Sequence, residues 1–575
     1  MAKKSFSFKV AGAAGEGIMS TGLLFSKTAS KSGLFIFDYT EYPSLITGGH
    51  NTYQVHISPE PVHCQTSKTD ILIALNTDSL KIHHQELHPE SIVIFDGETI
   101  KTPISEFKIP AKTLDLPMAK LALEAGGREL MSNNVGFGAA AYLAGFDLNI
   151  VNQIISEVFA GKDQAIIDTD LKAAASGYNF AKSKFPTPIL QNPPGLQPKI
   201  TMTGNEAVAL GAIAGGLQFY AAYPMTPSSS ILHYLAKNAS KAGIVVKHAE
   251  DEISVINMAI GASFAGARAM VGTSGGGFCY MTEALGLAGI TELPIVVFLG
   301  QRPGPALGLP TWTDQGDLKF ALSAGNGEFP RIILAPSDPK EAFELTRRAL
   351  TLAESFQTPV IILSDKYLAE SRYPISFESE TFTNKRFGFE NNPKPDQTGF
   401  FPRYKADSAV SLRTVPGLAG GVYIANADEH DHYGLSTEES DLRIEQVNKR
   451  NKKLEEMSLE IPEQYWQAEP NAKITFLSFG STKGPILEAR ENLSAEGTPT
   501  NHLNLSWIWP FPQNQVKKII EAGTEIVIVE GNSHGQLADV IAQETGFMSK
   551  HNIRRFDGRP FYPEDIVNFI KGMKT

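Results

Sequence analysis

Short apolar runs alternate with helical patterns along the first 184 residues of the chain. Five apolar runs have the length and composition of strands: 6–11, 34–37, 51–58, 71–75 and 92–95. Helical patterns occupy about 18–30, 136–144 and 150–159. Because strands and helices alternate here, the pattern predicts a doubly wound, Rossmann-type α/β domain over residues 1–184.

A proline-rich stretch at 185–198 is the clearest boundary in the sequence. Its prolines are Pro186, Pro188, Pro193, Pro194 and Pro198. Proline at this density is typical of an extended linker between domains.

A second α/β pattern occupies residues 199–370, and a third, smaller one occupies residues 471–575. The second has predicted helices at 206–217 and 252–265, and predicted strands at 218–223, 269–273, 295–299, 332–335 and 360–363. The third begins at 472–480 and continues through 525–530. Between the two patterns, the Pro-, Asn- and charge-rich residues 371–470 predict an irregular connecting segment with one exposed helix at 441–459. The expected fold class is therefore three linked α/β domains.

Two features bear on where the protein works. The nearly uncharged stretch 207–225 is about long enough to cross a bilayer, but its Ala, Gly and Gln218 content favours a buried helix running into a core strand. The N-terminus lacks the apolar core and small-residue cleavage site of a signal peptide. Cys64 and Cys279 are too few for an iron–sulfur cluster and do not resemble a disulfide framework. The sequence predicts a cytoplasmic protein without a membrane partner.

The net charge excludes one class of function. The chain has 575 residues, 51 basic and 62 acidic, for a net charge of −11. Because phosphate backbones require a basic face, no nucleic-acid partner is expected. The composition is compatible with a small-molecule enzyme.

Three polar or glycine-rich motifs follow predicted strands of the second domain. They are Tyr223-Pro224-Met225-Thr226-Pro227-Ser228-Ser229-Ser230, a glycine-rich turn at 272–278 that contains Thr273 and Ser274, and Gln301-Arg302-Pro303-Gly304-Pro305. In open α/β sheets ligands bind at the carboxyl ends of the strands, so these motifs are expected to converge on one cleft. Helix capping explains the serines of the first motif. It does not explain a threonine held between two prolines.

An acidic run, Glu250-Asp251-Glu252, begins a predicted helix of small residues. Carboxylates in a first helical turn are ordinary because they complement the helix dipole, so one or two of the three are expected to be structural. A small-residue helix also allows a flat ligand or another chain to approach closely. Glu252 is the residue singled out for such a contact.

Two segments of the first domain are candidate ligand loops. Gly12, Gly15 and Gly17 follow a strand and open a helix, an arrangement equally compatible with a phosphate site and a structural turn. The segment 42–51 holds Ser44, paired glycines, His50 and Asn51, where a hairpin with solvated polar groups is favoured over a ligand loop. Two clusters elsewhere, 428–434 and 530–536, favour an interface or solvated loop and a structural His534 over metal or catalytic sites.

Together these motifs resemble the 2-oxoacid:ferredoxin oxidoreductases over nearly the whole chain. The first domain is similar to the family's γ subunit, with its Gly-rich loop and Tyr42-Pro43-Ser44-Leu45-Ile46-Thr47-Gly48-Gly49-His50-Asn51 segment. The remainder is similar to the α subunit, whose Tyr-Pro-Ile-Thr-Pro-Ser-Ser signature matches residues 223–229. A fused γ–α chain of this kind is most similar to the members that use 2-oxoglutarate.

The resemblance implies a split active site and a partner. The α subunit grips the aminopyrimidine of thiamine diphosphate, with Tyr223, Pro224, Met225, Thr273 and Ser274 around it and Glu252 facing the pyrimidine N1′. A β subunit supplies the diphosphate and Mg²⁺ site and carries a [4Fe–4S] cluster, and the chain itself holds no metal. Thr226 and Arg302 contact the 2-oxoacid.

The products implied are an acyl-coenzyme A, CO₂ and electrons for ferredoxin, or the reverse reaction. The coenzyme A region implied on this chain comprises Gly12, Gly15, Gly17, Ser44, His50 and Asn51. The assembly implied is a dimer of αβ pairs.

Two departures from the family and three alternatives stay open. Thr47 and Trp312 stand where members often carry basic residues, which leaves the substrate less defined. A nucleotide-dependent dehydrogenase would need a complete G-x-G-x-x-G and a ribose-binding acid, and a single-chain transketolase would need a diphosphate motif; all are absent. A non-catalytic scaffold subunit, or a pyruvate or branched-chain 2-oxoacid enzyme, remains to be distinguished by activity.

Overall fold

The protein has three main sheets, of six, seven and five strands, with helices on their faces. The structure is a computed structural model that describes residues 5–45, 48–190, 193, 195–376 and 384–573. This layered arrangement confirms the expected α/β fold class. The domain boundaries themselves stay a prediction.

The N-terminal sheet is mixed rather than wholly parallel. Its strands are β1 (Phe6–Ala14), β2 (Phe35–Glu41), β3 (Gly48–Ser58), β4 (Ile71–Ala74), β5 (Ile92–Phe95) and β6 (Lys112–Asp115), in the order β2-β3-β1-β4-β5-β6. Strands β1, β4, β5 and β6 run parallel, whereas β3 is antiparallel to β1 and β2. The short connection from β2 to β3 permits only a hairpin, since a parallel crossover needs about a dozen residues or more.

In the described part of this domain six helices cover the sheet, and three of them, at 77–83, 118–124 and 164–184, were not predicted from the sequence. The six are α1 (Ile18–Lys31), α2 (Thr77–His83), α3 (Met118–Glu124), α4 (Ser132–Leu143), α5 (Leu148–Val158) and α6 (Gln164–Lys184). The helices expected near 18–30, 136–144 and 150–159 are confirmed. Helices α4 and α6 cross with their backbones in contact, because a Cβ on Gly138 or Gly177 would overlap the carbonyl of the other helix.

The central domain is a doubly wound sheet of parallel strands. Its strands are β7 (Thr201–Thr203), β8 (Phe219–Ala222), β9 (Val245–His248), β10 (Ala269–Ser274), β11 (Ile295–Gln301), β12 (Ile332–Leu334), β13 (Pro359–Asp365) and β14 (Arg372–Pro374). Strands β12-β13-β11-β10-β8-β9 lie in that order, all parallel, and β7 pairs with β14.

The helices of this domain alternate with its strands. They are α7 (Gly204–Ala214), α8 (Ser229–Ala242), α9 (Glu252–Phe264), α10 (Gly275–Ile290), α11 (Leu318–Ser323), α12 (Pro339–Phe356) and α13 (Lys366–Glu370). The apolar stretch 207–225 therefore is a buried helix, α7, running into the core strand β8, as expected. Within the described ranges, no helix combines the length and apolar character that crossing a membrane requires.

The C-terminal part of the chain contributes to two sheets. It comprises α14 (Ser440–Ser458), β15 (Tyr465–Gln467), β16 (Ile474–Phe479), α15 (Lys483–Ala495), β17 (Thr500–Leu505), β18 (Trp507–Trp509), α16 (Gln513–Glu521), β19 (Glu525–Glu530), α17 (Gln536–Thr545), β20 (His551–Arg554) and α18 (Pro563–Gly572). Strands β15-β17-β16-β19-β20 form the five-stranded sheet, whereas β18 pairs antiparallel with β12 of the central sheet. The two domains consequently share one apolar core.

The helix expected to be exposed at 441–459 is half-buried. Lys449 and Lys453 of α14 point inward to Glu292, a carboxylate that is fully buried. A buried carboxylate needs such partners, because an unpaired buried charge is costly. The connecting segment is thereby fastened to the central domain.

Candidate functional site

The carboxyl ends of three neighbouring strands carry the motifs found in the sequence. Strands β8, β10 and β11 lie side by side and run parallel, so Tyr223, Ser274 and Arg302 meet at one edge. The expected convergence is confirmed. The glycine-rich turn expected at 272–278 is wrong, because β10 continues to Ser274 and α10 begins directly at Gly275. The glycines form the first turn of that helix, where their lack of side chains leaves room for neighbouring carboxylates.

Glu252 is a buried carboxyl group with an unsatisfied oxygen. It is the first residue of α9 and is 6% exposed, and its Oε1 has no hydrogen-bond partner. A Cβ on Gly277 of α10 would lie 2.6 Å from that oxygen and would overlap the Thr273 hydroxyl. Asp251, in contrast, is the helix cap and accepts from the Ser254 amide at 2.7 Å. The acidic run thus divides into a structural member and one aimed at the sheet edge.

Ser274 adds a second unsatisfied group beside the first. Its hydroxyl is buried without a partner, although the residue is the N-cap of α10. The hydroxyl of its neighbour Thr273 is buried too and has only a long bond, 3.4 Å, to the Ser274 carbonyl. These groups retain hydrogen-bonding capacity toward a ligand, since buried polar groups are ordinarily satisfied.

The Thr226 turn is held from two sides. Arg302 Nη1 donates to the Thr226 carbonyl oxygen at 2.8 Å, and Asn205 Nδ2 donates to the Pro227 carbonyl at 2.6 Å. Thr226 and Met225 are half-buried, whereas Tyr223 and Pro224 are exposed. The backbone of this loop is therefore fixed while its side chains face the opening.

The expectation that the serines cap the next helix is wrong. Ser228 is the N-cap of α8 but makes no side-chain capping bond. Its hydroxyl instead donates to the Met225 carbonyl at 2.8 Å, and Ser230 Oγ accepts from Asn205 Nδ2. These hydrogen bonds hold the turn between β8 and α8 rather than the first amides of α8.

Arg302 is a buried cation with a free donor. It is 6% exposed, and its Nε has no partner. Burial lowers its pKa, against the opposing effect of Asp317. A guanidinium with unused donors is suited to a carboxylate, which it binds through two oxygens.

Two half-buried carboxyl groups on the loop that follows Arg302 were not predicted from the sequence. Burial raises the pKa of Asp317 to about 6, against the opposing effect of Arg302. Burial, with the charge of Asp317, raises the pKa of Asp314 to about 7. Both lie on the polar loop after β11, and no local pattern distinguishes them from solvated loop acids. Their position could have identified both acids, because their loop follows the end of a strand that the sequence already assigned to the cleft.

The loop that carries these acids is fastened to both flanking domains. Gln315 exchanges backbone and side-chain bonds with Gly531, at 2.7 and 2.9 Å, and its amide donates to the Phe479 carbonyl at 3.0 Å. On the other side, Thr311 Oγ1 donates to the Tyr42 carbonyl. The motif 530–536 is thus a structural clamp, and His534 is exposed beside Ser533.

The side chain of Glu16 occupies the space inside the turn that contains Gly12, Gly15 and Gly17. Strand β1 extends through Ala14, and Glu16 Oε2 accepts from the Ala13 amide at 2.6 Å and from Asn76 Nδ2 at 3.1 Å. A carboxylate in this position opposes a phosphate, because like charges repel. The arrangement favours the structural turn, and a phosphate contact stays a prediction.

The described residues of the segment 42–51 lie where β2 and β3 pair as an antiparallel hairpin, the favoured interpretation. Ser44 is exposed and Asn51 is buried. His50 Nε2 lies 2.7 Å from His83 Nε2, whose ring contacts Glu86 Oε1 at 2.6 Å. Burial, and then the neighbouring His83, lowers the pKa of His50 to about 4, so the ring is neutral at pH 7. Thr47 lies outside the described residues.

Trp312 is paired with a cation from another domain. The Arg559 guanidinium carbon lies 3.3 Å from the centre of the Trp312 ring, and Arg559 is 39% exposed. A positive charge therefore stands where the resemblance implied a basic residue at 312, but it comes from the C-terminal domain. The hypothesis that Trp312 changes how the substrate is held therefore extends to the pair of Trp312 and Arg559.

The loop 428–434 packs against α14. Glu429 accepts from Arg450 at 2.8 and 2.9 Å and from Arg443, and His432 contacts Glu445 at 3.0 Å. Over the described residues, no three His, Cys, Asp or Glu side chains gather in a group suited to a metal ion. The interface-loop interpretation fits these contacts.

Models of three protein families match successive parts of the chain. Residues 7–180 match "Pyruvate ferredoxin/flavodoxin oxidoreductase", and residues 210–449 match "Pyruvate flavodoxin/ferredoxin oxidoreductase, thiamine diP-bdg". Residues 472–566 match "Pyruvate:ferredoxin oxidoreductase core domain II". Thr226, Glu252 and Arg302 all fall within the second match.

Individual relatives match along the full length. The chain is 32% identical to the 2-oxoacid:ferredoxin oxidoreductase subunit alpha of Saccharolobus solfataricus, over 99% of this chain and 97% of that protein. It is 28% identical to the 2-oxoglutarate oxidoreductase subunit KorA of Mycobacterium tuberculosis, over 98% and 90%. The solved 2-oxoglutarate:ferredoxin oxidoreductase from Magnetococcus marinus, with 2-oxoglutarate, coenzyme A and succinyl-CoA bound, has a TM-score of 0.91 and 32% identity, over 99% of both chains.

Proposed function

Because the chain belongs to the 2-oxoacid:ferredoxin oxidoreductase family, as an α subunit with a γ-like N-terminal part, we propose its reaction and its site residues as follows. With a partner subunit it decarboxylates 2-oxoglutarate oxidatively, forming succinyl-coenzyme A and CO₂ and passing electrons to ferredoxin. The observation that carries the assignment of the site is the buried, unsatisfied Glu252 Oε1 at the sheet edge.

The chain's own residues fit one half of thiamine diphosphate. Glu252 Oε1 and the Ser274 hydroxyl are buried without partners. The cradle between α9 and α10 stays open because Gly277 has no side chain. An aminopyrimidine needs a carboxyl group at its N1′ and polar contacts at its rim, and this edge offers both. When bound, thiamine diphosphate supplies a carbon nucleophile and an electron sink for the 2-oxoacid.

Glu252 handles the proton in this proposal. With thiamine diphosphate bound, the Glu252 carboxyl group would face the ring nitrogen N1′ and share a proton with it, and the cofactor would supply a base through its amino group. Burial at 6% exposure excludes water from this contact. Gly277 of the neighbouring α10 leaves room for this carboxylate, because a side chain there would overlap its Oε1.

Arg302 and Thr226 position the substrate. The Nε of Arg302 is buried without a partner, while its Nη1 donates to the Thr226 carbonyl. A guanidinium so oriented binds the 2-oxoacid carboxylate, and the half-buried Thr226 hydroxyl donates to the 2-oxo oxygen.

A second cation supports a dicarboxylic substrate. The loop that begins at Arg302 also carries Trp312, over which the Arg559 guanidinium is stacked. The distal carboxylate of 2-oxoglutarate pairs with this guanidinium. The Magnetococcus marinus enzyme, whose structure matches along the full chain, was solved with 2-oxoglutarate bound.

The partner subunit supplies the second half of the site, and it binds to this chain at a surface around α9 and α10. Ile253, Met258, Tyr280 and Leu307 are large apolar side chains with exposures of 53, 46, 64 and 66%. Ile253 and Met258 lie on α9, Tyr280 on α10 and Leu307 on the loop after β11, and exposed large apolar side chains on neighbouring elements are typical of an interaction site. The β subunit covers this face, supplies the site that binds the diphosphate and Mg²⁺, and carries the [4Fe–4S] cluster, for which the two cysteines of this chain are too few. The assembly is a dimer of αβ pairs.

Coenzyme A is assigned to the β2–β3 hairpin rather than to the glycine segment. Ser44 is exposed, and neutral His50 and buried Asn51 follow it. The hairpin is tied to the Arg302 loop through Thr311 and Tyr42. Glu16 fills the alternative place at Gly12–Gly17.

Reduction of a viologen dye by the chain co-purified with its partner tests the reaction. We expect reduction that requires coenzyme A and prefers 2-oxoglutarate to pyruvate, and Glu252→Gln should abolish it while the complex stays assembled. A preference for pyruvate or a branched 2-oxoacid corrects the substrate alone. No reduction with any 2-oxoacid, from a complex containing thiamine diphosphate and its cluster, would support a scaffold role instead.

A charge placed on the apolar face tests the partner surface. Met258→Lys should prevent co-purification of the partner, since a lysine buried in an apolar interface is costly. Met548→Lys is the matched control, because Met548 is 81% exposed and lies outside this face. Equal partner recovery with both variants would contradict the assignment.

A further inference from the structure

Two histidines and a glutamate form a chain of contacts in the N-terminal domain. His50 Nε2 lies 2.7 Å from His83 Nε2, and His83 Nδ1 lies 2.6 Å from Glu86 Oε1. The other oxygen of Glu86 accepts from Lys9 Nζ at 2.5 Å and from Thr69 Oγ1 at 3.0 Å. The chain of contacts therefore leads from β3, through the last residue of α2, to a carboxylate that is held on both of its oxygens.

These contacts fix which ring nitrogens carry hydrogen. Burial opposes the ionisation of Glu86, but Lys9 and then His83 lower the pKa of its carboxyl group to about 2, so it is a carboxylate and only accepts. His83 Nδ1 must therefore donate to it. In the neutral pair of rings His83 Nε2 is then a lone pair, and His50 Nε2 must donate to that lone pair. The lone pair of His50 is thereby left on Nδ1, which is buried without a hydrogen-bond partner.

A proton taken up at His50 Nδ1 does not have to stay on that ring. As Nδ1 gains it, the hydrogen on Nε2 passes across the 2.7 Å contact to His83, whose ring touches the Glu86 carboxylate. This transfer matters because burial, and then the neighbouring His83, lowers the pKa of His50 to about 4, so His50 alone is a weak base. Besides these groups, Lys9 on β1 and Asp78 on α2 are the charges that act on His50.

We propose that His50 is the base that removes the thiol proton of coenzyme A, and that His83 and Glu86 are positioning residues that receive the resulting charge. This rests on the proposed function, which assigns coenzyme A to the hairpin that carries His50. A 2-oxoacid anion and a thiol give a thioester, CO₂, two electrons for ferredoxin and one proton, and that proton is the thiol's. The S–H bond breaks, its proton goes to Nδ1, and the thiolate, the reactive form of a thiol, forms the C–S bond to the acyl carbon. The proton returns from Nδ1 to solvent after the thioester leaves.

The first test follows thioester formation by the assembled enzyme, at saturating coenzyme A, as a function of pH. His50→Gln keeps an N–H donor toward His83 but cannot take up a proton. At pH 7 about 3% of a thiol with a pKa of about 8.5 is ionised, so the variant should be about 30-fold slower than wild type. Its rate should rise about tenfold per pH unit from pH 6 to 8 and approach the wild-type rate near pH 9. His84→Gln is the matched control, because His84 contacts the Lys81 carbonyl and lies outside the chain of contacts, and it should follow the wild type.

A second measurement separates this inference from the proposed function. Release of CO₂ consumes no thiol, so in a single turnover without coenzyme A the wild type and His50→Gln should release it equally fast, which also shows that the variant is folded. Thioester formation by His50→Gln at the wild-type rate at pH 7, or a loss that does not recover at high pH, overturns the role of His50 alone. No CO₂ release by either enzyme overturns the proposed reaction instead.

Discussion

Gly277 is the position at which the smallest possible substitution should damage the site. An alanine methyl there would lie 2.2 Å from Thr273 Oγ1 and 2.6 Å from Glu252 Oε1, whereas ordinary van der Waals contact begins at 3.4 Å. The Thr273 hydroxyl and the Glu252 carboxylate must therefore both move, the carboxylate by about 0.8 Å, because α10 itself is packed in the core. A displacement of about 1 Å in a catalytic group costs about 10²-fold in rate.

The expected loss in kcat for Gly277→Ala is thus about 10²-fold, or about 2.7 kcal/mol in activation free energy. Stability should change less. Overpacking costs about 1–3 kcal/mol, while alanine in a helix gains about 1 kcal/mol over glycine. The assays are viologen reduction by the assembled complex and thermal unfolding of the same preparation.

Gly286→Ala is the matched control on the same helix. Its methyl would meet only the flexible Asn326 side chain, at 3.2 Å. This variant should keep the wild-type kcat and gain slightly in thermal stability, because it has the same helix-propensity benefit. A Gly277→Ala enzyme with kcat within threefold of wild type would refute the role assigned to the Glu252–Gly277 contact.

Three further substitutions test other parts of the site and the fold. Arg302→Lys should raise KM for the 2-oxoacid by about tenfold or more, since lysine cannot bind the carboxylate through two parallel bonds, and an unchanged KM would remove Arg302 from substrate binding. Arg559→Ala should lower the preference for 2-oxoglutarate over pyruvate about fivefold, the value of a partly exposed ion pair of about 1 kcal/mol, measured as a ratio of kcat/KM. Glu354→Ala should lower the unfolding temperature, at a cost of about 3–5 kcal/mol, because it leaves Arg268 and Arg413 buried without their carboxylate; thermal unfolding within a degree of wild type would contradict this.

The strands that carry the site were predictable because each one is a continuous apolar run, a pattern that can be recognised in the sequence without knowing the rest of the fold. The runs expected at 269–273, 295–299 and 360–363 correspond to β10, β11 and β13 to within two residues at each end. Helix α6, in contrast, was missed. Few of its residues are large and apolar. Its close contacts with α4, Ala174 against Gly138 and Gly177 against Val135, depend on a helix elsewhere in the chain. Packing between distant helices leaves no local pattern.

The candidate residues divide in the same way. Glu252 was singled out because an acid heading a small-residue helix is a local feature, and the structure buries it. Asp317 was missed because its place depends on a neighbour that the fold brings to it, Gly275. The glycines at 275–277 look like a turn in sequence, and only the register of β10 and α10 reveals them as space for two carboxylates.

The contacts of the 311–317 loop join all three domains beside the candidate site. Thr311 bonds to Tyr42 of the N-terminal domain, and Gln315 bonds to Phe479 and Gly531 of the C-terminal domain. The loop that carries Asp314 and Asp317 is therefore positioned by all three domains at once. Because these bonds come from residues far apart in the sequence, no local pattern predicts where the loop lies, and only the fold places it at the sheet edge that carries Arg302.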